Sequence, residues 1–169
     1  FFENTDIRNF NSNEIFEIQD TEFSGIKKTY PIPNNLDKYY ESVEYISHHQ
    51  DKGGLKEKIY KFAQSFNLNY KRNILAKQTF RNAKILDYGC GAGEFIKYIE
   101  DDFETFGYEP NENARNFAKN KSCKTKFVNN ISELSDDSLD VITLWHVFEH
   151  IENQKDMLKL FYNKLKNKG

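Results

Sequence analysis

The chain has 169 residues, the usual size of a single domain with one hydrophobic core. Hydrophobic residues make up 38% of it, and 15 Phe and 10 Tyr supply much of the apolar area that such a core requires. Lys and Arg number 24 against 26 Asp and Glu, so the net charge is −2. This balance disfavours a nucleic-acid-binding protein that relies on a basic surface.

No apolar stretch is long enough to predict a membrane-spanning helix. The longest apolar region, residues 141–147, is interrupted by Thr143 and His146. The first residues lack the basic and apolar segments of an export signal. The two cysteines, Cys90 and Cys123, form neither a metal-binding cluster nor a secreted disulfide framework. We therefore predict a protein of the reducing cytoplasm that neither enters a membrane nor binds nucleic acid.

The first part of the chain, residues 1–50, is polar and rich in Asn, and the run 30–33 (Tyr-Pro-Ile-Pro) favours extended, turn-prone backbone. We predict an N-terminal extension here, which can act as a lid through Tyr39, Tyr45 and His48. The remainder, residues 51–169, is predicted to form the main domain.

A long helix is predicted before residue 80, because apolar residues recur there at spacings of three and four. This stripe is expected to face the core and consists of Leu55, Ile59, Phe62, Ala63 and Phe66. Beyond Phe80, short apolar runs alternate with helical patterns. The predicted strands are 84–88, 104–108, 126–129 and 140–145, and the predicted helices are 94–100, 113–119 and 156–166.

This alternation predicts a Rossmann-like three-layer α/β/α sandwich with a mostly parallel sheet. The last helix is expected to end in lysines and a capping glycine, Gly169. A fifth strand is expected directly after that helix, so the C-terminal side of the sheet is predicted to be incomplete and the chain to be a fragment.

A glycine-rich turn follows the first predicted strand, in the run 85–95 (Ile-Leu-Asp-Tyr-Gly-Cys-Gly-Ala-Gly-Glu-Phe). Glycines between a strand and a helix permit sharp turns and close approach of a ligand to the backbone. A nucleotide-like ligand is therefore expected at the carboxyl end of this strand. The turn residues predicted to contact it are Gly89, Cys90, Gly91 and Gly93.

The details of the turn favour S-adenosylmethionine. A dinucleotide fingerprint requires glycine where Glu94 stands and usually lacks an acid in the place of Asp87. A buried carboxylate needs a positive partner, which an α-amino group supplies and a pyrophosphate does not. Asp87 is therefore predicted to bind the ammonium group of a nucleoside ligand without phosphate.

Polar residues also follow the second and third predicted strands. Glu109, next to Pro110, is predicted to accept hydrogen bonds from both ribose hydroxyls. Asn111 is predicted to cap the following helix. After the third strand, Asn130 and Ile131 offer a polar and an apolar group suited to the edge and face of adenine.

The run from Lys84 to Asn153 resembles the class I S-adenosylmethionine-dependent methyltransferases. The residues that carry the resemblance are Asp-x-Gly-x-Gly-x-Gly at 87–93, Glu109, and the run 139–151 (Leu-Asp-Val-Ile-Thr-Leu-Trp-His-Val-Phe-Glu-His-Ile). That last run resembles the small-molecule branch of the family, in which Trp-His-Val-Leu-Glu-His follows the fourth strand. The resemblance implies methyl transfer to a small or medium acceptor, S-adenosylhomocysteine as the product, and Trp145 and His146 lining the methionine and acceptor side. Asn130 stands where the family often has Asp.

His146 and His150 are the candidate catalytic residues. Their spacing of four would place them on one face of a helix, and either can serve as a general base if the acceptor is a hydroxyl group. A zinc motif of the His-Glu-x-x-His kind would need Glu at the position of Val147. No metal site is therefore predicted.

Residues 16–50 resemble more weakly a segment with paired zinc knuckles that precedes the domain in some relatives. Thr21 and Ser24 stand where the second pair of cysteines would lie. Because zinc requires thiolate or imidazole ligands, we predict no metal here. Methyl transfer at oxygen is thus the preferred function. Two alternatives stay open, a cofactor-binding module without turnover and, less favoured, an NAD-dependent oxidoreductase. The sequence does not indicate the acceptor or the oligomeric state.

Overall fold

The structure is a computed structural model that describes residues 7–8, 15–21, 25–31 and 55–169. Its strands are β1 (Ile7–Arg8), β2 (Ile15–Asp20), β3 (Lys27–Tyr30), β4 (Lys84–Tyr88), β5 (Glu104–Tyr108), β6 (Lys126–Val128) and β7 (Val141–Thr143). Its α-helices are α1 (Leu55–Gln78), α2 (Glu94–Ile99), α3 (Glu112–Lys121) and α4 (Gln154–Lys164). Two short 3₁₀ helices, Ile131–Glu133 and Phe148–His150, follow β6 and β7.

The central sheet has the strand order β6-β5-β4-β7, and all of its pairings are parallel. In this register Asp87 of β4 lies between Gly107 of β5 and Thr143 of β7. Parallel strands bring their carboxyl ends to the same edge of a sheet, so the polar residues that follow β4, β5 and β7 converge there.

Successive residues of β4 point to opposite faces of the sheet and enter two separate apolar clusters. Ile85 belongs to the cluster on the side of α1 and α2, with Leu75, Ala83, Phe95, Ile99 and Phe103. Leu86 belongs to the cluster on the side of α4, with Val128, Ile131, Leu134, Leu139 and Phe161. Helices thus cover both faces, and the predicted three-layer α/β/α fold is confirmed.

Helix α1 forms as predicted, but the predicted core stripe is wrong at Phe62, Ala63 and Phe66, while the side chains of Leu55 and Ile59 lie outside those that the structure describes. Phe62 and Phe66 are 74% and 70% exposed, and Ala63 is also exposed. The face that packs against the domain instead carries Leu68 and Leu75, of which Leu75 is buried in the cluster with Ile85. The spacing of apolar residues identified an apolar face of α1, but a different face of the helix packs against the sheet.

The predicted glycine cap of the last helix is also wrong. Helix α4 ends at Lys164, whose ammonium group donates to the carbonyl of Leu134 at 2.7 Å. Leu165 then turns into extended backbone and forms a parallel bridge with Leu139. Pairing next to β7 therefore ends the helix well before Gly169.

Strands β1, β2 and β3 form an antiparallel sheet in the order β1-β2-β3. Between β2 and β3, the hydroxyl of Thr21 donates to the carbonyl of Ile26 at 3.0 Å and closes the turn. This sheet contacts the domain where β3 meets the 148–150 helix, and the Gln154 amide donates to the carbonyl of Lys27 at 3.4 Å. The predicted lid residues Tyr39, Tyr45 and His48, and also Ser24, lie outside the described residues.

Candidate functional site

Asp87 occupies the centre of the site, near the carboxyl end of β4, and is only 3% exposed. Its Oδ1 accepts a hydrogen bond from the hydroxyl of Thr143 at 2.6 Å. Burial raises the pKa of Asp87 to about 6, although the Thr143 hydroxyl and the nearby Lys71 ammonium act in the opposite direction. A single hydroxyl satisfies only part of a buried carboxylate. The arrangement therefore favours a cationic ligand group beside Asp87.

Gly91 lies at the open part of the glycine turn. Its φ is +54°, and a Cβ added to it would meet no atom within 4 Å. Its main-chain N–H donates to Oε2 of Glu109 at 2.8 Å. Gly91 therefore offers bare backbone to the space over the turn, as close approach of a ligand requires.

The two flanking glycines serve the packing of the protein itself. A Cβ on Gly89 would lie 2.5 Å from a methyl group of Val147, and one on Gly93 would lie 2.8 Å from the Cβ of Ala118 in α3. Gly93 also precedes α2 with a left-handed φ of 80°. Both positions require glycine because the chain packs closely against them, at Gly89 through the loop after β7 and at Gly93 through α3.

Cys90 is buried between these glycines, and burial raises the pKa of its thiol, with the carboxylates of Asp87 and Glu109 acting in the same direction. A thiol in such surroundings stays protonated and is a poor nucleophile. Cys90 thus fills space beneath the turn.

Glu109 directly follows β5 and is 9% exposed. Besides the Gly91 bond, its Oε1 accepts a hydrogen bond from the N–H of Asn111 at 2.9 Å. Its carboxylate thus joins the glycine turn to the start of α3, where Asn111 caps the helix through Ala114 as predicted. Pro110 is exposed beside it.

Asn130 and Ile131 lie after β6 but play local structural roles. Asn130 caps the 131–133 helix through a hydrogen bond from the Ser132 N–H at 2.9 Å, and Glu133 completes a capping box. The Asn130 side chain is otherwise exposed, so its amide group remains accessible. Ile131 is buried in the apolar cluster with Leu86. This buried position differs from the prediction, in which the Ile131 side chain is available to pack against the face of adenine.

The fourth-strand motif bends where the sequence predicts a helix. His146 has a left-handed φ of 59°, and only Phe148–His150 form a helical turn. The prediction that His146 and His150 share a helical face is therefore wrong. The His146 side chain is 88% exposed, with its Nδ1 4.0 Å from Oε1 of Glu149.

Trp145 and His150 each keep an unsatisfied polar atom inside the protein. Trp145 Nε1 and His150 Nδ1 are buried and have no hydrogen-bond partner in the described part of the chain. The Trp145 ring packs edge-on against Phe95, with ring centroids 5.5 Å apart. Buried polar atoms without a partner are rare in folded proteins and are typical of sites that receive a ligand.

Lys71 of α1 is a site residue that the sequence analysis did not identify. Its ammonium lies 4.8 Å from the ring centroid of Trp145 and 5.8 Å from that of Phe95, and it interacts electrostatically with Asp87. A lysine in an amphipathic helix is normally assigned to its solvent face, so no local signal marked it. Its distance in sequence from Asp87 hides this electrostatic interaction.

Residues 58–169 match the sequence profile of a family described as a methyltransferase domain. The chain belongs to the methyltransferase domain family. The match covers the whole parallel sheet together with most of α1.

Individual relatives agree with this assignment. An uncharacterized protein of Methanocaldococcus jannaschii is 33% identical over an alignment of 94 residues that covers 51% of this chain and 36% of that protein. The chain thus spans little more than a third of this curated relative. A solved S-adenosylmethionine-dependent methyltransferase of Archaeoglobus fulgidus is 28% identical, with a TM-score of 0.50 over 61% of this chain and 48% of that one.

A further structural neighbour has the same fold at lower identity. It is a putative S-adenosyl-L-methionine-dependent methyltransferase of Methanococcus maripaludis, 15% identical, with a TM-score of 0.54 over 71% of this chain and 64% of that one. The predictions of a class I methyltransferase and of S-adenosylmethionine as the cofactor are therefore confirmed. Within the described residues, no helix combines the length and apolarity that crossing a bilayer requires.

Proposed function

We propose that this domain binds S-adenosylmethionine and transfers its methyl group to a hydroxyl oxygen of a small or medium-sized acceptor molecule. The observation that carries the proposal is the Asp87 carboxylate, buried at the carboxyl edge of the parallel sheet with one hydroxyl partner beside an open glycine turn. A ligand that joins an ammonium group to a nucleoside matches this combination of burial, charge and bare backbone.

The residues present fit that cofactor. Asp87 would bind its ammonium group, the backbone at Gly91 would lie against it, and Glu109 would bind its ribose. Trp145 Nε1, buried without a partner in the described part of the chain, offers a further donor. The exposed Asn130 amide would bind the adenine edge, and Pro110 and Cys90 would lie beside the cofactor. When bound, S-adenosylmethionine supplies an electrophilic methyl group on a sulfonium.

His150 is the better of the two candidate bases. Its buried Nδ1 has no partner among the described residues and can take the proton of an acceptor hydroxyl, whereas the His146 side chain is 88% exposed. Positioning of the acceptor supplies the rest of the catalytic effect. We therefore assign His150 the role of general base and His146 a place at the rim of the acceptor side.

The test is release of S-adenosylhomocysteine from S-adenosylmethionine in the presence of a panel of small phenols, polyols and hydroxy acids, each compared with its amine analogue. We expect turnover with a hydroxylated compound, and a loss of about 100-fold in the His150→Gln variant, in the range that a general base contributes. His146→Gln is the comparison variant and should lose much less activity than His150→Gln, because His146 is assigned no proton transfer. Turnover confined to amines, or a wild-type rate in His150→Gln, would contradict the proposal.

A further inference from the structure

The ammonium group of Lys71 lies at the site without a direct ion pair among the described residues. It lies over the faces of Trp145 and Phe95, at 4.8 and 5.8 Å from the ring centroids, and is half-buried. In the described part of the chain it forms no hydrogen bond and no ion pair within 4 Å. Aromatic faces attract a cation only weakly, and they leave its hydrogen-bond donors free.

The neighbouring residue shows the opposite arrangement. Arg72 donates from Nε to Asp102 at 2.8 Å, and its Nη2 lies 2.6 Å from the same carboxylate oxygen. This pair, together with buried Leu75, fixes α1 against the domain. Lys71 thus lies on a helix that its two neighbours Arg72 and Leu75 attach to the domain, as a preorganised site requires.

Burial and charge at Lys71 favour a further anionic partner. Burial lowers the pKa of Lys71, and Asp87 raises it in partial compensation. Asp87 is the group that the proposed function reserves for an ammonium. Once a cationic ligand group takes Asp87 as its partner, Lys71 needs another anion.

We propose that Lys71 binds the carboxylate of the amino-acid end of S-adenosylmethionine, while Asp87 binds its ammonium. This inference rests on the proposed function. The amino-acid end is a zwitterion whose opposite charges are attached to one carbon atom, so it needs a cation and an anion side by side. Lys71 and Asp87 provide that pair, from α1 and β4 respectively.

The test compares S-adenosylhomocysteine with its decarboxylated analogue, which keeps the ammonium but lacks the carboxylate, by calorimetric titration. Wild-type protein should bind S-adenosylhomocysteine at least about tenfold more tightly, as expected for a charge-assisted hydrogen bond. Lys71→Met keeps the apolar stem and removes the charge. It should weaken S-adenosylhomocysteine binding at least about tenfold, and leave the analogue bound equally or more tightly because a repelling cation is gone.

Two further variants complete the design. Lys71→Arg keeps the charge and should retain the preference for the carboxylate. Lys77→Met removes an exposed lysine of the same helix and should change neither affinity. Thermal unfolding of each variant is measured in parallel to show that it folds.

Several results would overturn the inference. Equal weakening of both ligands by Lys71→Met would assign Lys71 a purely structural role. Unchanged S-adenosylhomocysteine affinity with lost turnover would assign Lys71 to the acceptor. In either case the proposed function would stand, because wild-type protein still binds the cofactor product. Failure of wild-type protein to bind either ligand would overturn the inference and the proposed function together.

Discussion

The carboxylate of Glu109 accepts a hydrogen bond from the main-chain N–H of Gly91 at 2.8 Å. This bond connects the residue after β5 to the glycine turn after β4. The other carboxylate oxygen of Glu109 accepts a hydrogen bond from the main-chain N–H of Asn111. The Glu109 carboxylate thus holds the turn in place and can accept further hydrogen bonds from a ligand. Because this side chain supports the fold and is also proposed to bind the cofactor, we expect its substitution to lower cofactor affinity.

Replacing Glu109 by Ala should weaken S-adenosylhomocysteine binding about 100-fold or more, because the carboxylate would no longer accept hydrogen bonds from the two ribose hydroxyls. Glu112→Ala is the matched control, since Glu112 is an exposed acid in the first turn of α3. Isothermal titration of both variants measures the difference. An unchanged affinity in Glu109→Ala would remove Glu109 from the ribose site.

The glycines of the turn should separate binding from stability. Gly91→Ala places a methyl group in open space and should cost about 1 kcal/mol of stability through its left-handed φ, while lowering ligand affinity at least about tenfold. Gly93→Ala would press against Ala118 and should destabilise the domain by about 3 kcal/mol. Chemical denaturation and ligand titration are compared for both. Equal destabilisation by the two variants would contradict this division.

Ligand affinity should depend on pH through Asp87. Because burial raises its pKa to about 6, the carboxylate is ionised at pH 7.5 and mostly protonated at pH 5. The ammonium group of the ligand requires the ionised form, so S-adenosylhomocysteine affinity should fall about tenfold between these pH values. 5′-Methylthioadenosine lacks the amino-acid end and serves as the control, with an affinity that should stay constant. A flat profile for both ligands would exclude Asp87 as the ammonium partner.

The two faces of α1 should respond differently to mutation. Leu75→Ala removes a buried side chain and should destabilise the protein by about 3 kcal/mol. Phe66→Ala acts on a side chain that is 70% exposed and should change stability by less than about 0.5 kcal/mol. Thermal unfolding distinguishes them. A large loss in Phe66→Ala would show that the predicted apolar stripe is covered after all.

The sequence predicted the alternation of strands and helices because each element carries its own periodicity of apolar residues. It also placed Asp87 and Glu109 at neighbouring strand ends, since parallel strands align their carboxyl edges. Helix α1 formed as predicted, but its predicted core face failed at Phe62 and Phe66, because an apolar stripe does not show whether the fold covers it.

The remaining differences arise from backbone bends and long-range contacts. His146 and His150 are spaced like helix neighbours, but the positive φ at His146 sends its side chain into solvent. Ile131 follows the correct strand, yet the core takes its side chain. Lys71 lies over the Trp145 ring and interacts electrostatically with Asp87 only because α1 packs on the sheet, which no local pattern encodes.

The central claim is that this domain binds the methyl-donor cofactor at the site around Asp87. Calorimetric titration of S-adenosylhomocysteine into the wild-type chain and into Asp87→Asn tests this most directly, with NAD as a control ligand. We expect saturable micromolar binding of S-adenosylhomocysteine to the wild-type chain, a loss of at least about tenfold in Asp87→Asn, and no binding of NAD. Binding of NAD alone, or equal affinity of both proteins for S-adenosylhomocysteine, would contradict the account.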